Sequence, residues 1–244
     1  ILASELMNFW TKEKSDVFVI AIQMGAIAAV IYEYWARLWG AATGIVSGEP
    51  QGRRLGIGLI LASIPIVLIG LTFGQTVKQF LFNDIAIAMG LIIGGLIIIW
   101  IEKNPPQVRV HEVEELSIKD ACWIGLIQVL SLIPGTSRSG ATIIGAMFLG
   151  VSRKAATEFS FFLGIPVIIG AGLLDLYQSY DVLNTTEDWT VIAVGLLVSF
   201  VSALLLIRAL VAYVAKRDFM IFAWYRIVSG LLILLFAYTG WKLW

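Results

Sequence analysis

Charge, cysteine and histidine are all scarce in this chain. Only 14% of its 244 residues are charged, and 17 basic against 17 acidic side chains leave no surplus of either sign. That balance removes both the basic face nucleic acid requires and the acidic tail of a charged interaction segment, so no nucleic-acid partner is expected. Cys122 is the only cysteine; no internal disulfide can form, and in its apolar surroundings it reads as a small buried hydrophobe. His111 is the only histidine. For the chain as given, this excludes membrane phosphatase chemistry that uses one histidine as nucleophile and a second as acid, and His111, in the charged stretch 102–120, is expected to be solvated. No zinc-ligand cluster, Walker loop or other nucleotide-binding glycine motif occurs. Hydrolysis would therefore use a serine, or a water, activated by carboxylates and a divalent cation.

What fills the chain instead is apolar. With 59% hydrophobic residues and a mean hydropathy of +0.89, it reads as an all-α polytopic membrane protein. Runs long enough to span a bilayer are 17–35, 55–73, 85–101, 159–177, 190–211 and 219–239. Trp35, Trp39, Trp100, Tyr177, Trp189 and Trp244 sit at or near run ends, as interfacial anchors do. Pro65 and Pro166 predict kinks, and Gly94 with Gly95 predicts close helix approach.

Two further apolar stretches, 121–133 and 141–151, are too short to cross: at about 1.5 Å per residue the first reaches roughly 20 Å of a ~30 Å hydrocarbon core. Joined by the polar break 134–142, they describe a re-entrant helical hairpin over 121–151. If the hairpin returns to the side it enters from, one face owns Arg37, Arg53, Arg54, Lys103, Arg109, Lys119, Arg153, Lys154, Lys216 and Arg217. The other face owns Lys12, Lys14, Lys78 and Lys242, and the excess puts the first face in the cytoplasm. Arg138, Arg208 and Arg226 are left within or near the membrane.

A weak repeat relates 18–25 (FVIAIQMG) to 159–166 (FSFFLGIP), and Gly95-Leu96-Ile97 to Gly230-Leu231-Leu232. It suggests halves 1–101 and 121–244, joined by a loop 102–120. Three crossings per half would make them inverted-topology repeats. The first repeat is then incomplete: its own polar hairpin is expected upstream of Ile1, so the start at Ile1 reads as a cut end, and residues 1–10, with Glu5 and Asn8, do not read as a signal peptide.

The polar break is Pro134-Gly135-Thr136-Ser137-Arg138-Ser139-Gly140-Ala141-Thr142. Gly135 and Gly140 let the backbone turn and approach a ligand, while Thr136, Ser137, Ser139 and Thr142 offer hydroxyls. The unpaired N–H groups opening the second half-helix carry the positive end of its dipole. Arg138 adds a permanent charge with a planar fork suited to phosphate oxygens. The set specifies an anion site, and a phosphate or diphosphate fits better than a carboxylate. The competing reading is that Arg138 snorkels or pairs with a buried acid while the serines cap a helix. Gln23, inside the first run, reads equally as an interhelical hydrogen bond or a site residue. Glu158 is expected to pair with Arg153, and Arg226 to be structural.

The run Gln128-Val129-Leu130-Ser131-Leu132-Ile133 followed by PGTSRSGAT, then Gly150-Val151-Ser152-Arg153-Lys154-Ala155-Ala156 and Glu158-Phe159-Ser160-Phe161, closely resembles the bacterial undecaprenyl-diphosphatase family of the BacA/UppP, bacitracin-resistance type. The resemblance extends over essentially the whole chain. It implies a multi-pass hydrolase of the bacterial plasma membrane that removes the terminal phosphate of a polyprenyl diphosphate, recycling the lipid carrier for cell-wall synthesis. It implies that Arg138 and Ser137 act catalytically, and that Gly135, Thr136, Ser139, Gly140, Thr142 and Gln23 contact substrate. The family's glutamate-rich first motif is absent from the chain as given; ligands for a divalent cation, Mg or Ca, are therefore expected upstream of Ile1, with no metal ligand within the chain. A secondary transporter or lipid flippase, also built on inverted repeats, is the alternative, and self-association into a homo-oligomer is left open.

Overall fold

The computed structural model describes residues 12–179 and 185–239; Lys242, Trp244 and residues 1–10 lie outside them. The described chain is an all-α polytopic membrane protein. Its helices are α1 (Lys12–Glu33), α2 (Trp35–Ser47), α3 (Pro50–Leu81), α4 (Asp84–Lys103), α5 (Ile118–Gln128), α6 (Arg138–Phe148), α7 (Arg153–Ser179), α8 (Thr186–Val214) and α9 (Met220–Thr239). Pro50–Gly74 of α3, α4, Asp188–Val214 of α8 and α9 are each long and apolar enough to cross a membrane, and α1 with α2 qualifies as a broken span. The expected run 159–177 falls inside α7, whose 27 residues extend about 40 Å. Trp35, Trp39, Trp100 and Trp189 are all exposed.

The connection 36–54 between the apolar runs 17–35 and 55–73 is itself mostly helical, because α2 follows α1 after a one-residue turn at Tyr34. With 13 residues, α2 is too short to register as a span. It buries its small residues Ala41 and Gly44, and a Cβ on Gly44 would lie 2.7 Å from the Arg53 nitrogen at the start of α3.

The described residues fall into two compact units. The first holds the chain up to Leu38 and Gly164–Leu210. There α1 packs on α8: a Cβ on Gly25 would meet the Leu196 carbonyl at 2.5 Å, Ser199 donates to the Ile22 carbonyl, and Tyr32 meets Phe200 edge-on. Lys14 pairs with the buried Asp188 at 2.8 Å. Arg208, left near the membrane by the sequence, pairs with Glu33 at 2.8 Å.

The second unit, Trp39–Leu163 with the chain from Val211 onward, contains the hairpin. Its frame is the antiparallel pair α4 and α9. A Cβ on Gly95 would lie 2.8 Å from the Ala223 carbonyl and 2.7 Å from the Ile227 side chain, and one on Gly230 would meet the Ala88 carbonyl and Ile92 at the same two distances. These reciprocal contacts place a local two-fold axis between the helices. Only hydrogen fits at either glycine, so the backbones touch, as in membrane helix pairs generally. The α5 segment lies along α3 in the same manner, with Gly125 against Ala62 and Gly58 against Ala121.

Candidate functional site

The hairpin is α5, the 3-10 turn Val129–Leu132, the loop and α6. Eleven residues in α5 and eleven in α6 give each about 16 Å, half a hydrocarbon core. Its two ends are held by one side chain. Arg109 donates from Nε to the Leu149 carbonyl at 2.8 Å, just past α6, and from both terminal nitrogens to Asp120, in the first turn of α5. Backbone N–H groups of Arg109 and Val110 also donate to the Gly150 carbonyl. Entrance and exit of the hairpin therefore lie on one face. Burial alone would raise the Asp120 carboxyl, but the Arg109 guanidinium and the Ser117 hydroxyl hold it below the usual carboxylate range.

The loops assigned to that face by charge counting are joined to one another. Arg54 donates to the Glu114 carbonyl, Lys154 pairs with Glu112 at 2.9 Å, and buried Glu102 takes both the Arg153 guanidinium and the Phe219 N–H. Arg153 pairs with Glu102 on α4; Glu158, expected as its partner, is buried on the same helix as Arg153.

At the tip, the loop lies backbone to backbone on α4. Gly135 has φ +82°, and a Cβ there would sit 2.2 Å from the Ile87 carbonyl; one on Gly90 would sit 2.4 Å from the Pro134 carbonyl. The freedom of Gly135 thus seats the loop on a helix. Ser137 has φ +65°, a conformation that strains a residue with a Cβ by roughly 1–3 kcal/mol and clusters at functional positions. It is the N-cap of α6: the Gly140 N–H donates to its Oγ at 3.3 Å, and its Oγ lies 3.4 Å from that of Ser139. Arg138 opens α6, and its Nη1 is buried with no hydrogen-bond partner among the described residues. Thr142 faces the other way. It is buried, hydrogen-bonded to the Arg138 carbonyl at 3.0 Å, and 2.7 Å from the Ser160 hydroxyl of α7.

Gln23 is exposed on α1, in the first unit. Residues 135–140 are brought together at the tip, and Thr142 supports them from behind. No group of three or more His, Cys, Asp or Glu suited to a metal ion occurs among the described residues.

One residue outside the motif bonds to the loop. Arg226 of α9 is 8% exposed; its Nη2 donates to the carbonyls of Gly90 at 3.1 Å and Gly135 at 2.9 Å. It fits because Gly94 has no side chain: a Cβ there would lie 2.1 Å from that Nη2. The available signal was a cation inside an apolar run, which marks a function without saying which. Gln128, at the end of α5, is fully buried, with neither amide atom hydrogen-bonded among the described residues.

The model of a known family, described as bacitracin resistance protein BacA, matches residues 1–232. The chain belongs to the BacA family. Within it, undecaprenyl-diphosphatase 1 of Acinetobacter baylyi is 83% identical over 244 residues, covering 100% of this chain and 89% of that one. The undecaprenyl-diphosphatase of Psychrobacter cryohalolentis is 57% identical over 242 residues, 98% of this chain and 86% of its own. That of Nitrosospira multiformis is 49% identical over 244 residues, 100% and 88%.

Proposed function

We infer that the chain is an undecaprenyl-diphosphatase, a membrane hydrolase that cleaves the terminal phosphate from a polyprenyl diphosphate and returns the carrier lipid to cell-wall synthesis. Kinship with relatives of that name supports this reading over a transporter or flippase. The structural observation that carries it is the hairpin tip, where the Arg138 guanidinium, with its Nη1 unpartnered, opens a half-helix beside a strained serine. Arg138 and the dipole end of α6 oppose the charge that develops as the bond between the terminal phosphorus and the bridging oxygen breaks. Ser137, on the same turn, is the hydroxyl that contacts the reacting phosphate. Gly135, Thr136, Ser139 and Gly140 shape the cradle, Thr142 fixes its back against α7, and Gln23 is retained as a substrate-contact candidate.

The same reading places 1–101 and 121–244 as inverted repeats about the loop 102–120. The reciprocal packing of Gly95 and Gly230 supports it. It assigns the protein to the bacterial plasma membrane, as carrier-lipid recycling for the cell wall implies, with the basic face toward the cytoplasm. It keeps a Mg or Ca requirement with ligands outside the described residues. The test is release of inorganic phosphate from undecaprenyl diphosphate by purified protein in detergent, with no ion gradient. Turnover well above a protein-free control is expected, and its absence in the full-length protein overturns the assignment.

A further inference from the structure

A groove of roughly 200 Å³ runs between α4 and α6. Thr136, Gly140 and Arg226 line the end next to the loop, and Trp100 and Phe148, which pack with ring centroids 6.2 Å apart, line the far end. Between them the walls are Ile97, Ile101 and Ile144. No acidic residue lines it. At the loop end, a Cβ on Gly140 would lie 3.2 Å from the Arg226 Nη1, so the guanidinium stands at the first turn of α6. A cation at that end of a helix is repelled by its dipole. Nη2 of Arg226 is committed to Gly90 and Gly135, whereas its Nε is buried without a partner. With Nε unpaired and no carboxylate among the groove residues, the Arg226 charge is left available to an anion.

The volume is below that of a pocket enclosing a whole small molecule, about 300 Å³ or more. It suits one part of an elongated ligand, charged at one end and apolar along its length. We propose that this groove holds the junction of diphosphate and prenyl tail, with Arg226 a second headgroup-binding arginine and the first isoprenoid units lying along α4 and α6 toward Trp100 and Phe148. Exposed Ile97, Trp100 and Phe148 on its rim let the remainder of the tail leave into the bilayer. The proposal rests on the diphosphatase reading.

The test measures KM and kcat for undecaprenyl diphosphate, and Ki for inorganic diphosphate as competitor, in the full-length protein. Arg226→Lys keeps the charge and loses the fork; Gly94→Ala keeps Arg226 and displaces its Nη2. Each is expected to raise KM and Ki about tenfold or more with kcat little changed, and the double variant to fall short of the product of the two. Ile97→Trp, on the apolar wall, is expected to raise KM and leave Ki unchanged. The proposal is overturned if Arg226→Lys and Gly94→Ala leave KM and Ki within twofold while only lowering the melting temperature, or if Ile97→Trp leaves KM unaltered or moves Ki equally. Wild-type protein that releases no phosphate would instead sink the underlying activity.

Discussion

At the base of the hairpin, Arg109, Arg153 and Lys154 meet Asp120, Glu102 and Glu112. At its tip, Arg138 and Arg226 meet no carboxylate among the described residues; one donates to two backbone carbonyls and the other has a buried Nη1 with nothing to bond. Both ends belong to the same short element, yet their electrostatics are opposed. Where charge is neutralised internally, the interaction contributes to holding the chain in place. Where it is left open in a low-dielectric setting, it strains the fold and is available to a ligand.

Three experiments separate the ends. Arg138→Ala is expected to lower turnover about 100-fold or more, the scale of losing one preorganised donor, with a melting temperature in detergent at or above wild type. An equal fall in melting temperature and activity would erase the distinction. Glu102→Ala removes the shared acceptor of Arg153 and Phe219 and leaves a half-buried cation behind. It is expected to destabilise by about 2–3 kcal/mol, seen as a lower melting temperature, while the folded fraction keeps its KM. The smallest effect is pH dependence. Because the folded Asp120 carboxyl is depressed, its stabilisation is fully present above the unfolded value near 4 and is lost as pH falls through the folded value. Wild-type thermal stability should therefore drop below about pH 4 by more than that of Asp120→Asn, and parallel curves would show the base clamp to be inert.

Much of the tip was legible in sequence. Pro134, Gly135 and Gly140 punctuate an apolar stretch, and 121–133 is visibly too short to cross, so a hairpin follows from bilayer thickness alone. The same-face return of that hairpin depended on Arg109, whose acceptors are a carboxylate and a backbone carbonyl forty residues apart from it at the farther end. A carbonyl is offered by every residue, so such a partnership leaves no pattern to read. The partners of Arg226, expected to be structural, were hidden for the same reason, since both its acceptors are carbonyls of glycines. Thr142 reads as a ligand contact because it is a hydroxyl inside a polar motif, and its contact with Ser160 of α7 could not be read from that pattern. The helix α2 was missed because an amphipathic segment of its length resembles a polar loop to any window tuned to full crossings.

The seam between α4 and α9 carries one last consequence. Ala88, Ile92 and Gly95 on one side match Ala223, Ile227 and Gly230 on the other, and by the same spacing Leu91 matches Arg226 and Gly94 matches Ser229. Had both partners kept leucine at that place, the pair would fit equally well and do no chemistry. The seam matches Ala88, Ile92 and Gly95 with their counterparts, while two linked departures, Arg226 opposite Leu91 and Gly94 opposite Ser229, set the helices apart, the glycine making room for the guanidinium.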